Sequence, residues 1–299
     1  MTSPPDRLLR RLEWQIVRRL DGQLQGAYRT VFRGSGIDFA ELREYTPEDD
    51  VRHIDWNVTA RLDEAHVRQY TEDRELTSWL LLDRSPSMVF GRPERGKDVV
   101  LTELAITLAR LLVAGGNRVG ALLFDERVEQ VIPPRSGRNH VLRIAHELAK
   151  DRPAGTPTGT TTDLAALLRA APSTIRRRSL VFVISDFIST DGWERPLSRL
   201  QQRHEVVAIR LVDPLERELP DVGTIVVEDA ETGEQLLVDT GDPVFRRRFH
   251  AEVDAREAAL DAQLRRLGLR MHDVSTDDDL AAALVEMVHT TAMSTGARR

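Results

Sequence analysis

Polar side chains that are able to bind a cation follow two apolar segments of strand length. Asp83, Ser85 and Ser87 occupy alternate positions after the first segment, and Asp186 directly follows the second. A further group of hydroxyls lies in the segment 159–163, which opens a predicted helix. Carboxylate and hydroxyl oxygens are hard ligands, which favour Mg²⁺, Mn²⁺ or Ca²⁺ over zinc or copper. The sequence therefore predicts a divalent-cation site, provided that the fold brings these segments together.

The same residues also have a purely structural interpretation. Asp83 and Asp186 are suited to capping helices, and Ser85 and Ser87 are common in turns. A single Asp-x-Ser-x-Ser motif is a weak signal. Three matching segments favour the cation site.

Apolar runs of strand length recur regularly from residue 77 onward, at 79–82, 119–124, 180–184, 206–212 and 269–274. Amphipathic helical patterns separate most of them, which is typical of a parallel sheet covered by helices on both faces. We therefore predict an α/β fold, a doubly wound, mostly parallel sheet. In the common strand order the runs 79–82 and 180–184 are neighbours, so the polar residues that follow them meet at the carboxyl edge.

Two segments depart from this alternation. The run 128–132 follows 119–124 after a short turn, which predicts one antiparallel edge strand. A second β-hairpin is expected as an insertion at about 222–239.

The predicted organisation has three parts: an irregular N-terminal arm over 1–76, the sheet domain over 77–292 and a flexible tail over 293–299. The arm begins with a basic amphipathic helix in the region 7–20, for which we favour packing on its own domain over contact with a membrane or a partner.

Composition excludes several function classes. The 299 residues include no cysteine, which removes disulfides, thiol nucleophiles and cysteine-bound metals. A net charge of −6 argues against a general nucleic-acid-binding protein. No apolar stretch is long enough to span a membrane, and the N-terminus does not resemble a signal peptide. We expect a cytoplasmic protein.

The set Asp83, Ser85, Ser87 and Asp186, with a threonine of the segment 160–162, resembles the metal-ion-dependent adhesion site of von Willebrand factor A-like domains. In that family the serine and threonine oxygens bind the metal directly or through water, and the aspartates act largely through water. A Glu or Asp of a partner protein often completes the shell. The resemblance favours Thr162 as the threonine ligand, because the residues after it read like the family's passage into a helix. Thr160 and Thr161 remain alternatives.

The N-terminal arm resembles a second family, known as domain of unknown function 58. The matching segments are GSGIDF at 34–39, REYTPEDDVRHIDW at 43–56 and TAR at 59–61. The resemblance implies action with a MoxR-type AAA+ ATPase in the assembly or maturation of other proteins, so the expected partners are that ATPase and an unidentified client.

The arm also has the ingredients of a buried polar network with an apolar anchor. Its basic members are Arg43, Arg52 and Arg61, its acidic members are Asp49, Asp50 and Asp55, and its anchor is Trp56. This network has two possible roles, and we rank holding the arm to the sheet at least as high as binding a partner directly.

The segment 91–97 has the spacing of a phosphate-binding loop and precedes a helix. It ends in Lys97, but Asp98 stands where a Ser or Thr should hold Mg²⁺, so we do not predict nucleotide binding. Lys97 is expected to close the loop that enters this helix. Asp213 and Glu216 are expected near the rim of the cation site, outside its ligand shell.

Two function classes remain open from the sequence. The favoured one is a non-enzymatic, metal-dependent protein-binding module. The alternative is a Mg²⁺-dependent phosphohydrolase on a Rossmann-like sheet, with Asp83 as the nucleophile. It lacks a carboxylate two residues after Asp83, where Ser85 stands, and it lacks a convincing phosphate clamp or general base.

Overall fold

The computed structural model describes residues 36–46, 51, 54–62, 64–73, 76–125, 127–150, 162–229 and 232–287. The predicted N-terminal helix, the alternatives Thr160 and Thr161, and the tail 293–299 lie outside these residues. Within them, no helix combines the length and apolar character that crossing a bilayer requires.

Strands and helices alternate through most of the described chain. The strands are β1 (Gly36–Glu44), β2 (His66–Asp73), β3 (Thr77–Asp83), β4 (Arg118–Phe124), β5 (Val128–Arg135), β6 (Leu180–Ser185), β7 (Glu205–Val212), β8 (Thr224–Glu228), β9 (Gln235–Asp239) and β10 (Met271–Ser275). The helices are α1 (Trp56–Leu62), α2 (Lys97–Ala114), α3 (Arg138–Leu148), α4 (Leu164–Thr174), α5 (Glu194–Arg203), α6 (Pro243–Leu267) and α7 (280–287).

Six strands form the central sheet in the order β10–β7–β6–β3–β4–β5. Every neighbouring pair is parallel except β4 with β5, which is antiparallel. The predicted α/β fold with one antiparallel edge strand is thus confirmed. From β3 the chain first moves to β4 and β5 on one side, and later returns to β6 on the other. Such a reversal opens a crevice at the carboxyl ends of the strands, where ligands bind in sheets of this kind.

Helices cover both faces of the sheet, which explains why its strands are apolar throughout. Along β3, Leu80 and Leu82 join the core beneath α2, α3 and α7, whereas Trp79 and Leu81 join the core beneath α4, α5 and α6. Successive side chains of a strand point to opposite faces, so a strand buried on both faces has no polar positions to alternate with.

The described part of the N-terminal arm contains regular structure that the sequence analysis did not predict. β1 and β2 pair in antiparallel register, from Gly36 opposite Asp73 to Glu44 opposite His66. The short helix α1 lies between them in the chain. The buried carboxylate of Asp55 begins this helix, where its side chain accepts a hydrogen bond from the backbone of Val58.

The predicted role of Trp56 as an apolar anchor is wrong. Trp56 is 68% exposed and is the first residue of α1. Arg61 is also exposed, so the described residues of the predicted buried network reduce to Asp55. Arg52, Asp49 and Asp50 lie outside the described residues, as does the side chain of Arg43.

A second hairpin, formed by β8 and β9, occupies the position of the predicted insertion. Val226 pairs with Leu237, and Val227 pairs with Leu236. Several of these apolar side chains are exposed, among them Leu237 at 70%. The hairpin follows β7, so it leaves the sheet at the same carboxyl edge as the predicted cation site.

Gly120 in β4 permits the close packing of a neighbouring aromatic ring. Its register partner in β3 is Trp79, and a Cβ at Gly120 would lie 2.9 Å from Trp79 Cε3 and 3.0 Å from the backbone oxygen of Ile132. We expect Gly120→Ala to lower the free energy of unfolding by about 1–3 kcal/mol, measured by urea denaturation.

The Trp79→Leu background tests whether the ring is the cause. There the contacts with the ring are gone and only the contact with the Ile132 backbone oxygen remains, so Gly120→Ala should cost less than in the wild type. Equal costs in both backgrounds would contradict this account.

Candidate metal site at the carboxyl edge of the sheet

Four of the five residues predicted to bind a cation follow the carboxyl ends of two adjacent strands, and the fifth, Thr162, is hydrogen-bonded to the loop after β6. Asp83 is the last residue of β3, and Ser185 is the last residue of the adjacent strand β6. Ser85 and Ser87 follow Asp83 in a short 3₁₀ turn, and Asp186 follows β6.

Asp83 is completely buried and held by hydrogen bonds to both of its oxygens. The Ser85 backbone N–H donates to Oδ1 at 2.9 Å, and the Ser185 hydroxyl donates to Oδ2 at 2.6 Å. Burial and the nearby charge of Asp186 raise the pKa of Asp83 to about 6, although the hydrogen bonds from Ser185 and Ser85 act in the opposite direction. The carboxylate therefore has a fixed orientation and an incompletely compensated charge.

The two serine hydroxyls of the motif lie side by side. Ser85 Oγ and Ser87 Oγ are 3.1 Å apart. Ser85 is buried, whereas Ser87 is partly exposed and lies toward the surface. The first serine is thus buried beside Asp83, and the second is only partly buried.

Thr162 is buried, and its backbone is attached to the loop that follows β6. Its carbonyl accepts hydrogen bonds from the Thr190 backbone at 3.1 Å and from the Ser189 hydroxyl at 2.9 Å. Ser189 Oγ also accepts a hydrogen bond from the Leu164 backbone at 2.9 Å. These bonds connect the beginning of α4 to the loop that carries Asp186. The next residue, Asp163, is the N-cap of α4 and accepts a hydrogen bond from Ala166.

Asp186 has both oxygens engaged. Oδ1 accepts a hydrogen bond from the Ile188 backbone at 3.0 Å, and Oδ2 accepts one from Lys97 Nζ at 2.8 Å. Phe187, which lies between Asp186 and Ile188 in the chain, has a φ of 57°. A non-glycine residue pays about 1 kcal/mol or more for this left-handed conformation, so the loop is strained where it presents the carboxylate.

Lys97 contributes a buried charge to this edge that the sequence did not predict. It is the first residue of α2, is fully buried, and donates to Glu216 Oε1 at 2.6 Å as well as to Asp186. Burial lowers the pKa of the ammonium, but the charges of Asp186 and Glu216 outweigh this effect and raise that pKa above its ordinary value. The sequence signal was the loop 91–97, which has the spacing of a phosphate-binding loop; nucleotide binding was not predicted, and Lys97 was expected only to close the loop that enters the helix.

Asp213 and Glu216 fix the turn after β7 that meets Lys97. Glu216 Oε2 accepts a hydrogen bond from the Asp213 backbone at 3.1 Å, and Asp213 Oδ2 accepts one from the Thr276 hydroxyl at 2.7 Å. Gly91, with φ of 107°, packs against this turn, since a Cβ there would lie 2.5 Å from Asp213 Oδ2. The segment 91–97, which has the spacing of a phosphate-binding loop, is therefore packed against the turn after β7.

Within the described residues, no group of three or more His, Asp or Glu side chains is arranged as a metal centre. A cation at this edge would therefore depend on hydroxyl oxygens in addition to the carboxylates of Asp83 and Asp186. That donor set consists of hard oxygen atoms, the kind that Mg²⁺ and Mn²⁺ accept.

A family model described as protein of unknown function DUF58 matches residues 41–259. The chain belongs to the DUF58 family. This finding agrees with the resemblance noted in the N-terminal arm, and the match extends through most of the sheet domain.

Relatives of this DUF58 protein occur in mycobacteria. Uncharacterized proteins of Mycobacterium tuberculosis (Rv1480) and Mycobacterium bovis (Mb1516) are each 38% identical over 280 residues, which cover 94% of this chain and 87% of the relative. A shorter uncharacterized protein of Mycobacterium avium is 36% identical over 157 residues, or 52% of this chain and 91% of that protein.

Two solved structures resemble this DUF58 protein. BatB from Bacteroides thetaiotaomicron has a TM-score of 0.46 at 14% identity. An aerotolerance-related membrane protein from Bacteroides fragilis has a TM-score of 0.45 at 16% identity. Each alignment covers 73% of this chain and 99% of the other. At such identities the likeness concerns the fold and carries no information about function.

The Ser185 hydroxyl should stabilise the site even without metal, because it satisfies a buried carboxylate oxygen. We expect Ser185→Ala to lower the free energy of unfolding in EDTA by about 1–3 kcal/mol, measured by urea denaturation.

Ser173→Ala is the matched control. Ser173 is exposed, and its hydroxyl donates a hydrogen bond to the Ala170 carbonyl of its own helix. Ser173→Ala should therefore leave the free energy of unfolding almost unchanged. Similar losses for the two variants would contradict the role given to Ser185.

Proposed function

We propose that this DUF58 protein is a non-enzymatic, metal-dependent protein-binding module in which Asp83, Ser85, Ser87, Thr162 and Asp186 hold a divalent cation. Mg²⁺ is the favoured ion, with Mn²⁺ and Ca²⁺ as alternatives. When bound, the ion would offer an open coordination position to an acidic side chain of a partner protein. The chain's own residues fix the ligands and exclude bulk water from the buried side of the site.

The observation that carries this proposal is the spacing of the two serine hydroxyls. Ser85 Oγ and Ser87 Oγ are 3.1 Å apart. Octahedral Mg²⁺ has ligand distances of about 2.1 Å, which places adjacent ligands roughly 3.0 Å apart. The distance also fits a hydrogen bond between the hydroxyls, so the pair is suited to both the metal-free and the metal-bound state.

The charge of the buried cluster gives further support. Asp83, Asp186 and Glu216 bring three negative charges when ionised, and Lys97 brings one positive charge. The remaining charge of about −2 equals the charge that a divalent cation neutralises. Buried carboxylates of like charge are unfavourable unless a cation compensates them, so the site gains stability from such an ion.

The hydrogen bonds suggest different roles for the ligands. Asp83 and Asp186 each accept hydrogen bonds from the protein on both oxygens. This arrangement suits carboxylates that contact the metal through water molecules or that orient neighbouring hydroxyl ligands. Ser87 is the less buried of the two serines, which suits a position nearer to the partner. These roles agree with those implied by the adhesion-site resemblance.

The proposed partners are a MoxR-type AAA+ ATPase and an unidentified client, with the protein acting in the cytoplasm as an adaptor in assembly or maturation of other proteins. This part of the proposal rests on the family to which the chain belongs and on the resemblance of its N-terminal arm. The acidic side chain captured by the metal belongs to one of these two partners.

The phosphohydrolase alternative has weaker physical support. Asp83 is fully buried and its two oxygens accept hydrogen bonds, which leaves a poor nucleophile. Lys97, the candidate phosphate clamp, is bound to Asp186 and Glu216 instead.

Asp83→Asn should abolish Mg²⁺ or Mn²⁺ binding, because it removes the deepest negative charge of the site and retains the side-chain shape. Isothermal titration calorimetry with each ion measures this effect. The matched control is Asp191→Asn, since Asp191 is exposed and lies on the same loop after β6. Unchanged metal affinity in Asp83→Asn would exclude the proposed site.

Removal of the metal should release the partner if an acidic side chain completes the coordination shell. A pull-down of the MoxR-type ATPase is expected to weaken strongly in EDTA and to recover when excess Mg²⁺ is added. The Asp83→Asn variant should behave in Mg²⁺ as the wild type does in EDTA. Binding that ignores both treatments would place the interface elsewhere, for example on the N-terminal arm.

A further inference from the structure

A buried lysine inside the proposed metal site needs a physical explanation. Lysine is almost never fully buried unless its charge is paired, and the side chain of Lys97 has no exposed surface. Its ammonium lies 2.8 Å from Asp186 Oδ2 and 2.6 Å from Glu216 Oε1. Lys97 thus places a fixed positive charge on a carboxylate that the metal site also uses.

The choice of lysine is unusual for this chain. Only two of its 42 lysine and arginine residues are lysines, Lys97 and Lys150. Lys150 is half-exposed and forms an ion pair with Glu147. An ammonium is a compact point charge, whereas a guanidinium is a wide planar fork. A small cation at the position of Lys97 Nζ is therefore a specific feature in a protein that otherwise uses arginine.

We propose that Lys97 is a resident cation of this site, which neutralises Asp186 when no divalent ion is bound and thereby lowers the affinity for that ion. The inference rests on the proposed metal-binding function and describes how that site is regulated. A divalent cation and the ammonium are drawn to the same buried carboxylate charge, so each weakens the binding of the other.

Glu216 gives the ammonium a second partner. Its side chain is 15% exposed, and its other oxygen is fixed by the Asp213 backbone. When a metal draws on the charge of Asp186, Lys97 keeps its ion pair with Glu216 and is not left buried without a counter-charge. Glu216 therefore favours metal binding, and Lys97 opposes it.

This division predicts effects of opposite sign for two substitutions. Lys97→Met removes the competing charge and should tighten Mg²⁺ binding at least roughly tenfold. Glu216→Gln removes the second partner but retains the shape, so Lys97 depends on Asp186 alone and Mg²⁺ binding should weaken. A lysine that merely held the loops together would weaken metal binding when replaced.

The experiment is a calorimetric titration of Mg²⁺ and Mn²⁺ into the full chain and both variants, with Lys150→Met as the control for losing an exposed lysine. The thermal midpoint is measured in EDTA and in Mg²⁺. Lys97→Met should unfold at a lower temperature than the wild type in EDTA, since Asp186 and Glu216 lose their cation, and should gain more from Mg²⁺. An equal loss in both buffers would indicate a purely structural lysine and overturn the inference.

A measurement on the unaltered protein covers the case in which Lys97→Met does not fold. With only two lysines, ¹⁵N-lysine labelling gives a simple side-chain NMR spectrum. Addition of Mg²⁺ should shift the Lys97 ammonium signal and leave that of Lys150 unchanged. If the chemical shift of the Lys97 ammonium does not change at saturating Mg²⁺, the proposed competition for Asp186 is overturned.

The outcomes separate this inference from the proposed function. If the wild type does not bind metal but Lys97→Met does, the proposed function fails and the resident cation is supported. If the wild type binds metal and Lys97→Met binds it no more tightly, the proposed function stands and the inference is overturned. If neither protein binds metal, both are overturned.

Discussion

The ion pairs of the buried Lys97 ammonium with Asp186 and Glu216 are the interaction on which this edge of the sheet depends. They join the first residue of α2 to the loops after β6 and β7, across 89 and 119 residues of sequence. Loss of Lys97 would leave two carboxylates without their cation in a buried region, which is a costly change for a folded protein. Electrostatics therefore contributes, together with apolar packing, to the positions of these three segments.

The surrounding backbone adopts unusual conformations that hold the loops around these ion pairs. Gly91 brings the loop before α2 against Asp213, where any side chain would collide, and Asp213 and Glu216 cap their own turn. Phe187 holds a left-handed conformation directly after Asp186, and it is the one non-glycine residue with positive φ in the described part of the chain. The hydrogen bonds of Ser185 and Asp186 to the backbone on either side of Phe187 sustain this strain.

Periodicity was enough to predict the sheet and the convergence of its polar loops. Strands such as β3 and β6 are apolar along their whole length, and parallel strands bring their carboxyl ends to one edge, so Asp83 and Asp186 had to be close. Lys97 was beyond this reasoning because its partners are distant in sequence. Its own neighbours resemble a phosphate-binding loop, and only the tertiary fold shows that carboxylates replace the phosphate.

The N-terminal arm illustrates the opposite error. Trp56 was expected to anchor a buried polar network, yet it stands at the start of a short helix and is exposed. β1 and β2 escaped prediction because charged residues interrupt their sequences, for example Glu41, Arg43 and Glu44 in β1. Burial of isolated residues depends on packing partners that local sequence does not specify.

A site of this kind must satisfy two opposing demands. It has to bury enough negative charge to attract a cation, and the protein has to remain folded when that cation is missing. Hydrogen bonds to Asp83 and Asp186 address part of the second demand, but they leave the charge in place, as the raised pKa of Asp83 shows. A tethered ammonium contributes one positive charge that cannot diffuse away. Under the proposed function, the remaining charge of about −2 matches the charge of a divalent ion, so this arrangement would let the metal-free protein stay folded and still favour binding of a metal.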